Sequence, residues 1–131
     1  VHPSFALNRY LSVKETTIAP EDIMLKLLDG VCVVVEEARV ATLKRDVQAK
    51  ARRVDQALAI ISELLAALDD TSLPDTMAKL RALYSYAQSQ LLQGSAKLDP
   101  RCFENAARVL RSVAESFHLA VERRNEEARQ R

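Results

Sequence analysis

"VQAKARRVDQALAIISELLAALD" (Val47–Asp69) carries the longest regular apolar pattern in the chain. Val47, Ala51, Val54, Leu58, Ile61, Leu65 and Leu68 follow one another in alternating steps of four and three. That spacing returns to one side of a 3.6-residue helix, whereas a strand would need an alternation of two. Such a stripe is stable only when other helices cover it, so it predicts the seam of a bundle. Ala57, Ile60, Leu64 and Ala67 form a second apolar flank beside it.

Toward the N-terminus, Asp46 is placed to cap this helix. Before it, Pro20 suits a first helical turn, and Glu21 and Asp22 complement the positive end of the helix dipole. Met24, Leu27, Leu28, Val31, Val35 and Ala38 then keep helical spacing. The β-branched run "VCVVV" (Val31–Val35) is a local strand signal, outweighed by the long periodic frame around it. Residues 1–19 show no steady period and read as an irregular arm bearing Phe5, Leu7 and Tyr10.

Toward the C-terminus, "DDTSLPD" (Asp69–Asp75) reads as a turn, with Ser72 and Asp75 spaced like a capping box. Leu73, Leu80, Tyr84, Ala87 and Leu91 mark the core line of a third helix. "KLDP" (Lys97–Pro100) is the last connection, with Asp99 as cap and Pro100 in the first turn. Phe103, Ala107, Leu110, Ala114, Phe117 and Val121 share one face of the fourth helix, and "ERRNEEARQR" (Glu122–Arg131) has no apolar anchor. The expected fold is all-α: one domain over residues 1–131, an antiparallel up-and-down four-helix bundle with an N-terminal arm. Helices are expected at about 20–44, 47–69, 73–95 and 100–125.

Composition agrees. Of 131 residues 48% are apolar, with only two glycines and four prolines to make turns, which favours long helices and short loops. A formal charge of +1 with both signs mixed along the chain gives no support to a nucleic-acid partner. No apolar run is long enough for membrane insertion. Cys32 and Cys102 lie within helical patterns and read as small core hydrophobes.

Cofactor chemistry finds few donors. A di-iron bundle needs two Glu-x-x-His motifs, and "ESFH" (Glu115–His118) is one, but the other histidine, His2, lies in the arm. His118 is followed by "LAVERR", without the lysine and small residues of a phosphotransfer site. There is no glycine-rich phosphate loop and no Cys-x-x-Cys. Neither an enzyme, a metal site nor a cofactor is expected.

The helices carry more apolar arc than one core stripe needs. On helix one, Val33 and Val40 lie nearly opposite the core line. On helix two, Ile60 and Leu64 belong to the second flank. On helix three, Tyr86 is two residues from Tyr84 and so cannot share its face. Scattered apolar groups are normal on a surface, but several wide helices together point to interhelical grooves that receive another apolar segment. An amphipathic partner or a homodimer would satisfy them.

The order of the blocks resembles the flagellin-specific export chaperones of bacterial flagella. Tyr10 in the arm, Pro20 and "LLDG" (Leu27–Gly30) match the family's opening, with Leu28 where Tyr or Phe is usual. "ALAIISELLAALD" (Ala57–Asp69) is similar to its Ala-x-x-Ile-Ile-x-Glu-Leu stretch. "LRALYSYAQSQLLQGSAKLDP" (Leu80–Pro100) follows its Leu-Tyr-x-Tyr frame. The resemblance runs from Leu7 to Leu119, with two departures. "QGSA" (Gln93–Ala96) stands where Ala-Asn is common, and Phe117 where tryptophan is common, as in a divergent member.

The resemblance implies a cytoplasmic chaperone without catalytic activity. It would bind the C-terminal segment of flagellin, prevent premature polymerisation and deliver the subunit to the flagellar export apparatus. It also implies that the arm around Leu7 and Tyr10 covers an apolar surface until the client displaces it. The partner-binding residues expected are Leu7, Tyr10, Val33, Val40, Ile60, Leu64 and Tyr86. The alternative expectation is a non-catalytic regulatory bundle that homodimerises through the same flanks.

Overall fold

The computed structural model describes residues 20–69 and 71–131, so the expectations for Leu7 and Tyr10 fall outside the described residues. The described chain forms four helices: α1 (Pro20–Leu43), α2 (Val47–Ala66), α3 (Pro74–Lys97) and α4 (Pro100–Gln130). Each helix packs on two others in the cycle α1–α2–α3–α4–α1, which is a four-helix bundle. The α2–α3 seam is the loosest of the four. The valine run Val31–Val35 is helical throughout, because its frame supplies a continuous buried face.

Local chemistry sets the helix ends. The Asp46 carboxylate accepts the Ala49 N–H at 3.1 Å, and the Asp99 carboxylate accepts the Arg101 N–H at 3.0 Å. α1 stops in a Schellman turn in which the Asp46 N–H reaches the Ala41 carbonyl at 2.9 Å, with Arg45 left-handed at φ 58°. α3 stops in the same way, with the Leu98 and Asp99 N–H groups directed at the Gly94 carbonyl and Leu98 at φ 52°.

The entry to α3 differs from expectation. Leu73 occupies the N-cap in a left-handed conformation with no side-chain cap, so the Ser72–Asp75 box does not form. Asp69 takes over the turn, accepting from the Thr71 N–H at 3.0 Å and its hydroxyl at 2.6 Å. Those two bonds hold the Asp69 carboxyl below its usual range. Leu73, expected at the centre of the core line, is 67% exposed because it sits outside the helix in the turn.

The core is built from Leu28, Val31, Val35, Ile60, Ile61, Leu64, Tyr84, Leu91, Phe103 and Leu110, all essentially inaccessible. Each large side chain so buried is worth about 1.5–3 kcal/mol. α2 is rotated from the expected seam. Its buried line is Lys50, Val54, Ala57, Ile61 and Leu64 with Ile60, while Val47 and Ala51 face water and Leu58, Leu65 and Leu68 are half-buried. The reason is the neighbour: α2 packs far more closely on α1 than on α3, so it turns its Ala57–Ile60–Leu64 flank inward. Periodicity defined a wide arc and could not choose its centre.

α3 and α4 meet closely at Gly94. A Cβ there would lie 2.9 Å from Cys102 Cβ and 3.1 Å from the Phe103 ring, so a bare backbone is needed for the approach. α4 continues to Gln130, past the expected end near 125, with no buried residue after Ala114 and Val121 half-buried.

Candidate functional site

The outer edges of the four seams differ in chemistry. Along α1–α4, Arg39 pairs with Glu36 at 2.6 Å and reaches Glu104 at 3.9 Å. His118 Nε2 lies 3.0 Å from both Asp29 oxygens, and Arg124 pairs with Glu21 at 2.7 Å. The α1–α2 edge has Arg53 at 3.7 Å from Glu37. These seams are laced with charge on their water side.

The α3–α4 edge is not. Its cross-helix polar contact among the described residues is a hydrogen bond from the Asn105 amide to Gln90 Oε1 at 3.1 Å. That bond sets the antiparallel register. One turn further along, Tyr86 of α3 stands opposite Val109 of α4, and Leu83 opposite the Ser112–Val113 step. Tyr86 is 42% exposed, Leu83 is also exposed, and Val109 is half-buried. Two large apolar groups therefore face water along a seam with little charge to deter an apolar occupant.

Tyr84, two residues away, has the opposite environment. It is wholly buried, and burial pushes its phenol up to about 12. The two rings of the Tyr-x-Tyr frame thus do different work, one in the core and one on the seam.

The remaining expected residues scatter. Val33 is 60% exposed on the outer face of α1. Val40, half-buried, helps to line an open hollow of about 330 Å³ between the end of α1 and the start of α2, among Glu37, Lys44 and Arg53. α1 lies diagonally across the bundle from α3, so Val33 and Val40 do not join Tyr86 in one patch. Ile60 and Leu64 are 0% exposed core residues, a correction to their expected place on an open flank. The rotation of α2 toward α1 is what buries them.

Leu83 and Val109 are the seam residues that the sequence reading did not single out. Leu83 is legible on one helix, three residues before Tyr86, whereas Val109 requires knowing that α3 and α4 are antiparallel neighbours. Among the described residues no cluster of three His, Cys, Asp or Glu side chains could hold a metal ion. Burial, and to a smaller extent Asp29, pushes the Cys32 thiol up to about 11, away from the thiolate that nucleophilic chemistry needs. No described helix is long and apolar enough to cross a membrane.

A helical bundle with apolar side chains facing water between two of its helices has the architecture used by bundle proteins that bind another chain. The profile of the family "Flagellar protein FliS" matches residues 4–124, and the chain belongs to that family, the flagellin-specific export chaperones. Comparison with individual curated proteins gives no match.

Proposed function

We propose that this protein is a cytoplasmic chaperone that binds the C-terminal segment of flagellin, blocks its premature polymerisation and assists its secretion through the flagellar export apparatus. Membership of the export-chaperone family supports the general role. The observation that carries the binding reading is the α3–α4 edge, where Tyr86 and Leu83 face water beside the Asn105–Gln90 hydrogen bond.

The physics suits such a client. A disordered segment that later polymerises has an apolar face that must be shielded, and a preformed seam can order it. Ordering consumes part of the interaction energy, so hand-over at the export gate need not break an ultratight complex. Binding alone performs this work, without catalysis or nucleotide. Tyr86 and Leu83 anchor the client on one side of the bundle, and Val33 and Val40 offer a second strip on the other.

Titration with a synthetic flagellin C-terminal peptide tests the reading. A one-to-one complex at micromolar concentration is expected. Absence of any complex at tens of micromolar overturns it, and a tight dimer that refuses the peptide in sedimentation would favour the self-associating alternative.

A further inference from the structure

The end of the bundle made by the α1–α2 and α3–α4 connections is built against ordinary turn chemistry. Leu98 holds φ 52° and ψ 46°, a conformation that glycine or asparagine adopts at least cost, and it is 48% exposed. A leucine there is unfavourable twice, through backbone strain and through apolar surface left in water. Glycine would remove both penalties.

Leu98 has company. The Lys50–Ser95 hydrogen bonds set the α2–α3 register, and Val47 and Leu98 each lie three residues nearer the end, opposite one another. Val47 is about half exposed, and Leu43 presents a third apolar side chain from the last position of α1. Lys44, Arg45, Lys97 and Arg101, all exposed, lie in or next to the same two turns. Of the carboxylates nearby, Asp46 and Asp99 cap their own helix N-termini, Asp99 also lying 3.5 Å from Arg101, and Glu36 and Glu37 line the adjoining hollow with Lys44. Two helix N-termini and two C-termini meet at this end, so their dipoles largely cancel and the side chains set its sign.

We propose that this end is a second docking surface, separate from the α3–α4 edge, and that it takes an acidic amphipathic segment of another protein. The apolar trio supplies the anchor, and the basic rim supplies the charge complement. A second copy fits less well. The opposite end is acidic through Glu21, Asp22, Asp69 and Asp75, but α4 overhangs it. Arg124 already pairs with Glu21 in the first turn of α1, so the remainder of α4 projects about 9 Å further and obstructs end-to-end stacking.

The test is titration of the isotope-labelled full chain with a synthetic peptide helix bearing a Leu face and a Glu face. Saturable shifts are expected at Leu43, Val47 and Leu98, with affinity falling about tenfold when salt is raised to about 0.5 M. Leu98→Gly is expected to keep Tm within about 3 °C and to lower affinity at least about fivefold. Val47→Ser is expected to lower affinity without altering the left-handed turn. Shifts confined to the α3–α4 edge, wild-type affinity in Leu98→Gly, or equal binding of a Lys-for-Glu peptide would each overturn the proposal. The same shifts on concentrating the chain alone would overturn the choice of occupant in favour of a second copy.

Discussion

The Lys50 ammonium, almost wholly buried, donates to both the backbone carbonyl and the hydroxyl of Ser95, at 3.1 and 2.9 Å. This pair spans the loosest seam, fastening the first turn of α2 to the last turn of α3. It also places a cation at the negative end of the α3 dipole. Ser95 lies within "QGSA" (Gln93–Ala96), next to the close approach at Gly94.

Truncating Lys50 should therefore cost more than truncating Ser95. Lys50→Ala leaves the half-buried Ser95 groups without their donor and is expected to destabilise by about 1–3 kcal/mol. Ser95→Ala retains the carbonyl acceptor and should cost about 1 kcal/mol. Denaturant unfolding of both single variants and the double variant checks this, and simple additivity would show that the bond contributes nothing specific.

Gly94→Ala separates helix propensity from packing. In an open helix the change would stabilise by about 1 kcal/mol. Here the new Cβ meets Cys102 Cβ, which belongs to the backbone frame of α4 and cannot swing away, and the Phe103 ring. A net loss of about 1–3 kcal/mol is expected. A rise in Tm would mean that α3 and α4 are further apart than described.

The tyrosine pair should respond in opposite senses. Tyr84→Ala removes a fully buried ring and is expected to cost about 3–5 kcal/mol. Tyr86→Ala should cost under about 1 kcal/mol of stability yet lower affinity for the flagellin peptide by about tenfold. Melting curves and peptide titration on the same two variants decide it. Parallel losses in both measurements would make Tyr86 an ordinary packing residue.

Alkaline stability follows from the Tyr84 phenol. Its folded value, about 12, lies above the ordinary 10.0, so the unfolded chain releases this proton first. The stabilisation is fully present below pH 10 and is lost as pH climbs through the folded value near 12. Cys32, raised from 9.0 to about 11, adds a loss of the same sign beginning lower. Tyr84→Phe should flatten the fall in stability above pH 10, as read by denaturant midpoints across that range.

The amino-acid sequence alone made legible the number of helices, the turns that divide them and the order of the blocks that mark the family. Those features rest on local physics: apolar spacing, Asp46 and Asp99 as caps, Pro20, Pro74 and Pro100 in first turns. It also separated Tyr84 from Tyr86, since residues two apart cannot share a helix face. What it did not determine was which part of a wide apolar arc points inward. Ile60 and Leu64 entered the core and Val47 left it because α2 leans on α1 rather than on α3. Leu73 left the core because the chain turns left-handed there, which a leucine gives no reason to expect. The α3–α4 edge exists only where Tyr86 comes level with Val109 across two helices, and the basic apolar end only where two distant turns converge. Periodicity describes one helix at a time, and the rotation of each about its axis is set by neighbours far away in the chain.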